Sequence, residues 1–277
     1  MLTLEAVSYR YAGARRAALR DVDLELRDGE VLGIVGASEA GKTTLALVAS
    51  GLAPRAIGGT LRGVVRIDGR DVAAAPMHEM AAQVAIGFQN PATQLSGVTE
   101  TVFEEVAFGP MNLAVPRNEV IGRTWDALAS LRIEPLAERH PARLSGGQQQ
   151  LVAIAGLLAL RPRHLVLDEP TAQLDPAGTD LVAEALSHLS ARGASICVTE
   201  QKTDLLAGLA TRVAVIDAGA IAFSGPADEV LADPRLADLG VAAPSAVLLS
   251  RVADAAGLSP VARDRLAAAL AEELDVR

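Results

Sequence analysis

Residues Gly36-Ala37-Ser38-Glu39-Ala40-Gly41-Lys42-Thr43 match the phosphate-binding pattern G-x-x-x-x-G-K-[ST]. An apolar run, Val31 to Val35, leads into them, and a helical stretch from Lys42 to about Ser50 follows. That strand–loop–helix order is what the chemistry needs. Glycines at both ends let successive N–H groups turn inward on phosphate oxygens, and the helix start adds the positive end of its dipole. Lys42 brings a compact point charge to the terminal phosphates, where a planar guanidinium fits poorly. It is one of only two lysines, the other being Lys202, against 23 arginines. Thr43 offers a hydroxyl to Mg²⁺, and Thr44 continues the cradle. A strand that is apolar throughout must be covered on both faces, so the chain belongs with parallel α/β folds.

Composition narrows the classes further. With 277 residues, 50% hydrophobic and 21% charged, the chain can bury a large core. Aromatics at 3% disfavour a stacking platform for single strands, and a net charge of −9 opposes a nucleic-acid footprint or a polybasic membrane anchor. No nucleic-acid partner is therefore expected. Cys197 is the one cysteine, which leaves no internal disulfide, and it reads as a small buried hydrophobe. The longest apolar stretch, Leu151 to Leu160, ends at Arg161, well short of the ~20 residues of a membrane span. A cytosolic protein able to dock onto a membrane partner is expected.

Periodicity gives the organisation. Leu2 to Val7 and Val22 to Arg27 alternate as strands, and Asp28-Gly29 reads as a hairpin turn into Glu30 to Val35. A second hairpin is expected at Asp68-Gly69, then a strand from Val84 to Phe88. From about 90 to 160 strand patterns vanish. Pro91, Pro110, Pro116, Pro135 and Pro141 separate helical stretches, which reads as an inserted helical subdomain. After it, strands at 165–167, 195–199 and 212–216 alternate with helices at 177–191 and 203–209, so a parallel sheet is expected. Residues 241–277 read as two or three amphipathic helices, with Pro244 and Pro260 near helix starts.

Two further constellations carry chemistry. Leu165-Val166-Leu167-Asp168-Glu169-Pro170 delivers two acids at the end of an apolar strand, where such sheets bind ligands. Asp168 suits Mg²⁺ held through water, and Glu169 suits orienting the attacking water in phosphoryl transfer. Leu144-Ser145-Gly146-Gly147-Gln148 then opens an apolar helix; Ser145 can cap it, and the glycines leave its N-terminus open to an anion.

In this order the three motifs resemble those of ATP-binding-cassette (ABC) proteins. The resemblance covers about residues 2–235, and LSGGQ precedes Asp168 by 24 residues, as in that family. It implies a phosphate-loop nucleotide-binding domain over residues 1–235: a parallel sheet with a small antiparallel part and an inserted helical subdomain. A helical extension over 236–277, expected to help dimerisation, completes the α/β chain. Tyr11, 25 residues before Gly36, takes the place of the family's adenine-stacking aromatic. Gln89 takes that of the glutamine contacting Mg²⁺, and Ala172-Gln173-Leu174-Asp175 resembles the family's D-loop. The family pairs two chains head to tail, so that ATP lies between one phosphate loop and the partner's Ser145-Gly146-Gly147-Gln148 turn.

The run Phe88-Gln89-Asn90-Pro91-Ala92-Thr93-Gln94-Leu95, with Val106-Ala107-Phe108-Gly109-Pro110-Met111-Asn112-Leu113, is similar to the ATPases of energy-coupling-factor importers. That implies ATP-driven uptake of a vitamin or of cobalt or nickel ions. It also implies a second ATPase subunit, identical or paralogous, a transmembrane coupling subunit and a substrate-binding membrane subunit. The expected place is the cytoplasmic face of the cell membrane. Two positions depart from the pattern. Gln201 stands where the family has a histidine that contacts the terminal phosphate, so it is carried as a catalytic candidate beside Lys42 and Glu169. It also opens an alternative, a catalytically weak subunit that completes a paralogue's site. Glu39 brings a carboxylate into the loop and is expected to point outward.

Overall fold

The computed structural model describes residues 1–257. Among these residues ten strands form two sheets. The smaller is antiparallel, with β1 (Leu2–Arg10), β2 (Leu19–Leu26), β4 (Thr60–Ile67) and β5 (Arg70–Asp71) in the order β2-β1-β4-β5. The larger contains β3 (Val31–Val35), β6 (Val84–Gly87), β7 (His164–Asp168), β8 (Ser195–Glu200), β9 (Arg212–Asp217) and β10 (Ala220–Pro226). Its order is β10-β9-β3-β8-β7-β6, parallel except for β10.

The parallel sheet divides the interior into two cores. Along β3, Val31 and Val35 pack into one and Leu32 and Ile34 into the other. The same alternation sends Leu165 and Leu167 one way and Val166 the other. The second core is closed by the antiparallel sheet and helix α1 (Lys42–Ala49). The first is closed by helices that follow in chain order. A short α2 (Met77–Ala81), whose Met80 packs in the second core instead, precedes β6. Then α3 (Val102–Asn112), α4 (Arg117–Ser130) and α5 (Gly146–Leu160) make the inserted helical subdomain, which holds no strand. Helices α6 (Pro176–Ala191) and α7 (Asp204–Leu209) return to the sheet.

Two expectations need correction, and one strand was missed. Asp28-Gly29 is not a hairpin turn, because β2 and β3 enter different sheets. Every residue of β3 is buried, and it is flanked by β8 and β9. The alternating β2 has one exposed face and cannot supply that cover. Pro110 does not separate helices; it lies inside α3, which ends two residues later at Asn112. The strand β10 was not expected. Its small residues alternate weakly, and it lies at the sheet edge, paired only with β9.

The final described segment carries α8 (Ala227–Leu231), α9 (Arg235–Asp238) and α10 (Ser245–Ala255). Thr203 Oγ1 donates to the Ala242 carbonyl at 2.8 Å, and Asp204 Oδ1 accepts from the Ser245 N–H at 2.7 Å. These bonds seat α10 on the start of α7. The further helix expected near Pro260 lies outside the described residues.

Candidate active site

Strand register assembles the site. Val35 lies opposite Glu200, Asp168 opposite Thr199, and Gly87 opposite Leu167. One or two residues further on, Gly36, Gln201, Glu169 and Gln89 emerge together at the C-terminal edge of the sheet, where parallel sheets bind ligands.

The loop after β3 is fixed by close packing. A Cβ on Gly36 would lie 2.4 Å from the Ile216 carbonyl oxygen, and Gly41 caps α1 with φ +113°. Only glycine meets both demands. Ala40 is buried, Ala37 is half-buried and Ser38 is exposed. Lys42 is 4% exposed, and its Nζ donates to the carbonyls of Gly36 at 2.9 Å and Ala37 at 3.0 Å. Thr43 is exposed at the first turn of α1. Thr44 is buried, and its hydroxyl bonds the Tyr11 hydroxyl at 3.0 Å. Tyr11 thus stands beside the cradle, edge-on to Tyr9 with ring centres 5.0 Å apart. Glu39 is exposed but lines the cavity, with φ +64°.

That cavity holds about 260 Å³, walled by Ser38, Lys42, Thr43, Gln89, Glu169 and Gln201 among others. At its centre is Glu169. Its Oε2 accepts from Gln89 Nε2 at 2.7 Å, and its Oε1 accepts from Gln201 Nε2 at 3.1 Å. Lys42 Nζ is 3.5 Å from the same Oε1, and Gln201 Nε2 also reaches Ser38 Oγ at 3.3 Å. Glu169 has φ +47°, and the Thr199 carbonyl accepts from its N–H at 3.0 Å. A left-handed turn straight after β7 swings this carboxylate into the cavity. Asp168 stays behind it, buried, with Oδ1 accepting from Thr199 Oγ1 at 2.6 Å.

Three polar residues here were missed in the sequence. Thr199 holds both Asp168 and Glu169, through Asp168 Oδ1 and the Glu169 N–H. Glu200 is 2% exposed, and its Oε1 accepts from the Thr171 N–H at 3.2 Å and the Thr171 hydroxyl at 2.7 Å. Burial pushes its carboxyl above the usual range. Gln150, on α5, donates to the Pro170 carbonyl at 2.9 Å. The signal available was a polar residue inside an apolar run: Thr199 and Glu200 end β8, and Gln150 opens the buried face of α5.

The signature turn lies elsewhere. Ser145 Oγ accepts from the Gln148 N–H at 3.3 Å, and Gln148 Oε1 accepts from the Ser145 N–H at 3.2 Å, a reciprocal cap on α5. A Cβ on Gly146 would lie 2.8 Å from Gln173 Oε1, and one on Gly147 3.3 Å from the Gln173 carbonyl oxygen. The glycines therefore let α5 pack against the 172–175 turn. Asp175 caps α6 through the Gly178 N–H at 2.7 Å. None of Ser145, Gly146, Gly147 or Gln148 lines the cavity around Lys42. Cys197 is buried, with its thiol pushed up to about 12 by burial.

Known proteins resemble this chain in sequence and in fold. The profile of the ABC transporter family matches residues 19–172. The cobalt import ATP-binding protein CbiO of Rhodobacter capsulatus is 38% identical over 98% of this chain and 97% of its own. The energy-coupling factor transporter ATP-binding protein EcfA of Methanosphaera stadtmanae is 36% identical over 86% of this chain and 84% of its own. Among solved structures, cbiO1 from Clostridium perfringens, part of the cbiONQ transporter complex, superposes with a TM-score of 0.73 at 29% identity. It covers 85% of this chain and 92% of its own. A dimeric ATP-binding cassette in a post-hydrolysis state, bound to ADP and Pi, superposes with a TM-score of 0.72 at 25% identity, over 82% of this chain and 99% of its own. With the loop of Lys42, the acids of β7 and the capped turn at Ser145 in place on this fold, the chain belongs to the ABC transporter family as one of its ATP-binding, ATP-hydrolysing subunits.

Proposed function

We propose that this chain is the motor of an energy-coupling-factor importer, driving uptake of a vitamin or of a cobalt or nickel ion. It works as a dimer, with itself or a paralogue, on the cytoplasmic face of the membrane. A transmembrane coupling subunit and a substrate-binding membrane subunit complete the machine. The carrying observation is the convergence of Lys42, Gln89 and Gln201 on Glu169. The N–H groups of residues 36–44 and Lys42 cradle the phosphates of ATP, and Tyr11 lies on the adenine side. Glu169 orients the attacking water. Gln201, able to reach both Glu169 and Ser38, donates to the terminal phosphate in place of the family histidine. The hydroxyl of Thr43, the amide oxygen of Gln89 and the carboxylate of Asp168, acting through water, are hard oxygen donors of the kind Mg²⁺ takes. Bound there, Mg²⁺ would neutralise phosphate charge.

The separation of residues 145–148 from the Lys42 cavity supports a shared site: ATP held by one loop and closed by the partner's signature turn and D-loop Asp175. Gln201 also favours a second reading, a weak catalytic site completing a paralogue's. The two part on one measurement, Mg²⁺–ATP turnover by the full chain. The motor reading expects turnover that Glu169→Gln abolishes; Gln201→His raises the rate if the departure at that position limits hydrolysis. No turnover in the chain alone, with restoration by a paralogue whose own Glu169 counterpart is intact, overturns it in favour of the second.

A further inference from the structure

Strand β6 is the outermost strand of the parallel sheet, and Gln89 follows it by two residues. An edge strand leaves backbone groups without a strand neighbour. Here one side chain replaces the neighbour. Gln94 Oε1 accepts from the Phe88 N–H at 3.2 Å, and its Nε2 donates to the Ile86 carbonyl at 3.3 Å. The chain between folds back to allow this. Asn90 Oδ1 accepts from the Ala92 N–H at 3.0 Å, Thr93 Oγ1 donates to the Asn90 carbonyl at 2.7 Å, and the Gln94 N–H reaches the Pro91 carbonyl at 2.9 Å. The loop that carries Gln89 is thus closed at its base by Gln94.

On its other side Gln94 is tied to the helical subdomain. Leu95 packs against the first core. The Ser96 N–H and hydroxyl donate to the two carboxylate oxygens of Glu105 at 2.6 and 2.7 Å, and the Thr99 hydroxyl donates to Glu105 at 2.5 Å. Glu105 is buried on α3. Hydrogen bonds therefore hold Ser96 to Glu105 on α3 and Gln94 to Ile86 and Phe88, the backbone through Leu95 joins the two sets, and Gln89, next after Phe88, reaches Glu169 at 2.7 Å.

We propose that Gln94 is a positioning residue: through its paired bonds to Ile86 and Phe88 it sets the reach of Gln89 onto Glu169, and so ties the catalytic carboxylate to the placement of α3. The inference rests on Glu169 acting in hydrolysis, as read above. A network of this kind requires demonstrated coupling, which a double-mutant cycle supplies. Gln94→Leu removes both bonds. Gln94→Glu keeps the size and the acceptor but loses the donor to Ile86. Each is made in the full chain, alone and with Gln89→Ala. Mg²⁺–ATP turnover, Mg²⁺–ATP affinity and melting temperature are read together.

The expected result is a fall in kcat of about tenfold for both single variants, with KM changed by no more than about twofold. In the Gln89→Ala background the further fall is less than about twofold, because the residue that Gln94 positions is gone. Where turnover is too slow to follow, the same non-additivity appears in the gain of ATP affinity that Mg²⁺ confers. A Gln94 effect of equal size in both backgrounds overturns the proposal, as does wild-type kcat in Gln94→Glu. Should Gln94→Leu fail to fold, Gln94→Glu carries the cycle. Failure of the catalytic reading itself is distinct: Glu169→Gln would then leave turnover intact.

Discussion

Glu39 shows how one side chain in the phosphate loop bears on both stability and binding. Its backbone sits at φ +64°, where a side chain with a Cβ costs about 1 kcal/mol that glycine does not. Glu39 is among the residues lining the cavity, and a carboxylate turned into it would oppose an incoming phosphate. Glu39→Gly is expected to raise unfolding stability by up to about 1 kcal/mol and tighten ATP binding a few-fold, read by denaturant titration and equilibrium ATP binding. Unchanged affinity would show that the carboxylate does not face the ligand. His164 gives a second residue-scale expectation. It is fully buried, with Nε2 3.1 Å from Asp68 Oδ1, and burial holds its imidazole below the ordinary value of 6.5 despite that partner. Below that ordinary value the unfolded chain takes up the proton first. Stability therefore falls as pH drops from about 6.5 toward the lowered native value, by at most about 1.4 kcal/mol per pH unit. His164→Gln should flatten that part of the melting-temperature profile. The residues with a motif, Lys42, Glu169 and Ser145, were legible in sequence because their spacing is local. His164 was not, because its partner is 96 residues away.

At the scale of elements, helix ends follow local rules. Thr101 and Glu104 form a reciprocal cap on α3, with the Glu104 N–H donating to Thr101 Oγ1 at 3.2 Å and the Thr101 N–H to Glu104 Oε2 at 3.1 Å. Thr101→Ala is expected to cost about 1 kcal/mol, seen as a lower urea midpoint at unchanged slope. The same local logic made α5 and its cap at Ser145 readable. It did not find β10, which draws its stability from pairing along β9 rather than from its own weak pattern. Nor did it settle the turn at Asp28-Gly29. That turn joins two sheets, and its ends are held by distant groups: Glu30 accepts from Arg212 Nε at 2.7 Å, and the Gly29 N–H donates to Ser195 Oγ at 3.1 Å.

For the whole molecule, the decisive geometry is the separation of the candidate nucleotide-binding motifs. Lys42, Gln89, Glu169 and Gln201 surround one cavity, and Ser145 to Gln148 lie against the 172–175 turn instead. A slow variant should therefore accumulate as an ATP-bound pair. Glu169→Gln is expected to shift from monomer toward dimer on adding Mg²⁺–ATP, by size-exclusion chromatography with light scattering. Adding Lys42→Ala should abolish the shift. A variant that stays monomeric at saturating ATP counts against the shared site.

The sequence by itself determined the family, the parallel sheet and the helical insertion, and it named the candidate phosphate-binding residues, because each depends on spacing within one loop, strand or helix turn. Tertiary structure alone decided which of those residues meet. Four strand ends, brought level by register, put Gln89, Glu169 and Gln201 around Lys42, although 159 positions separate the outermost pair in the chain. It also decided the partners of Thr199, Glu200, Gln150 and Gln94, since each makes a hydrogen bond to a group that only folding brings within reach.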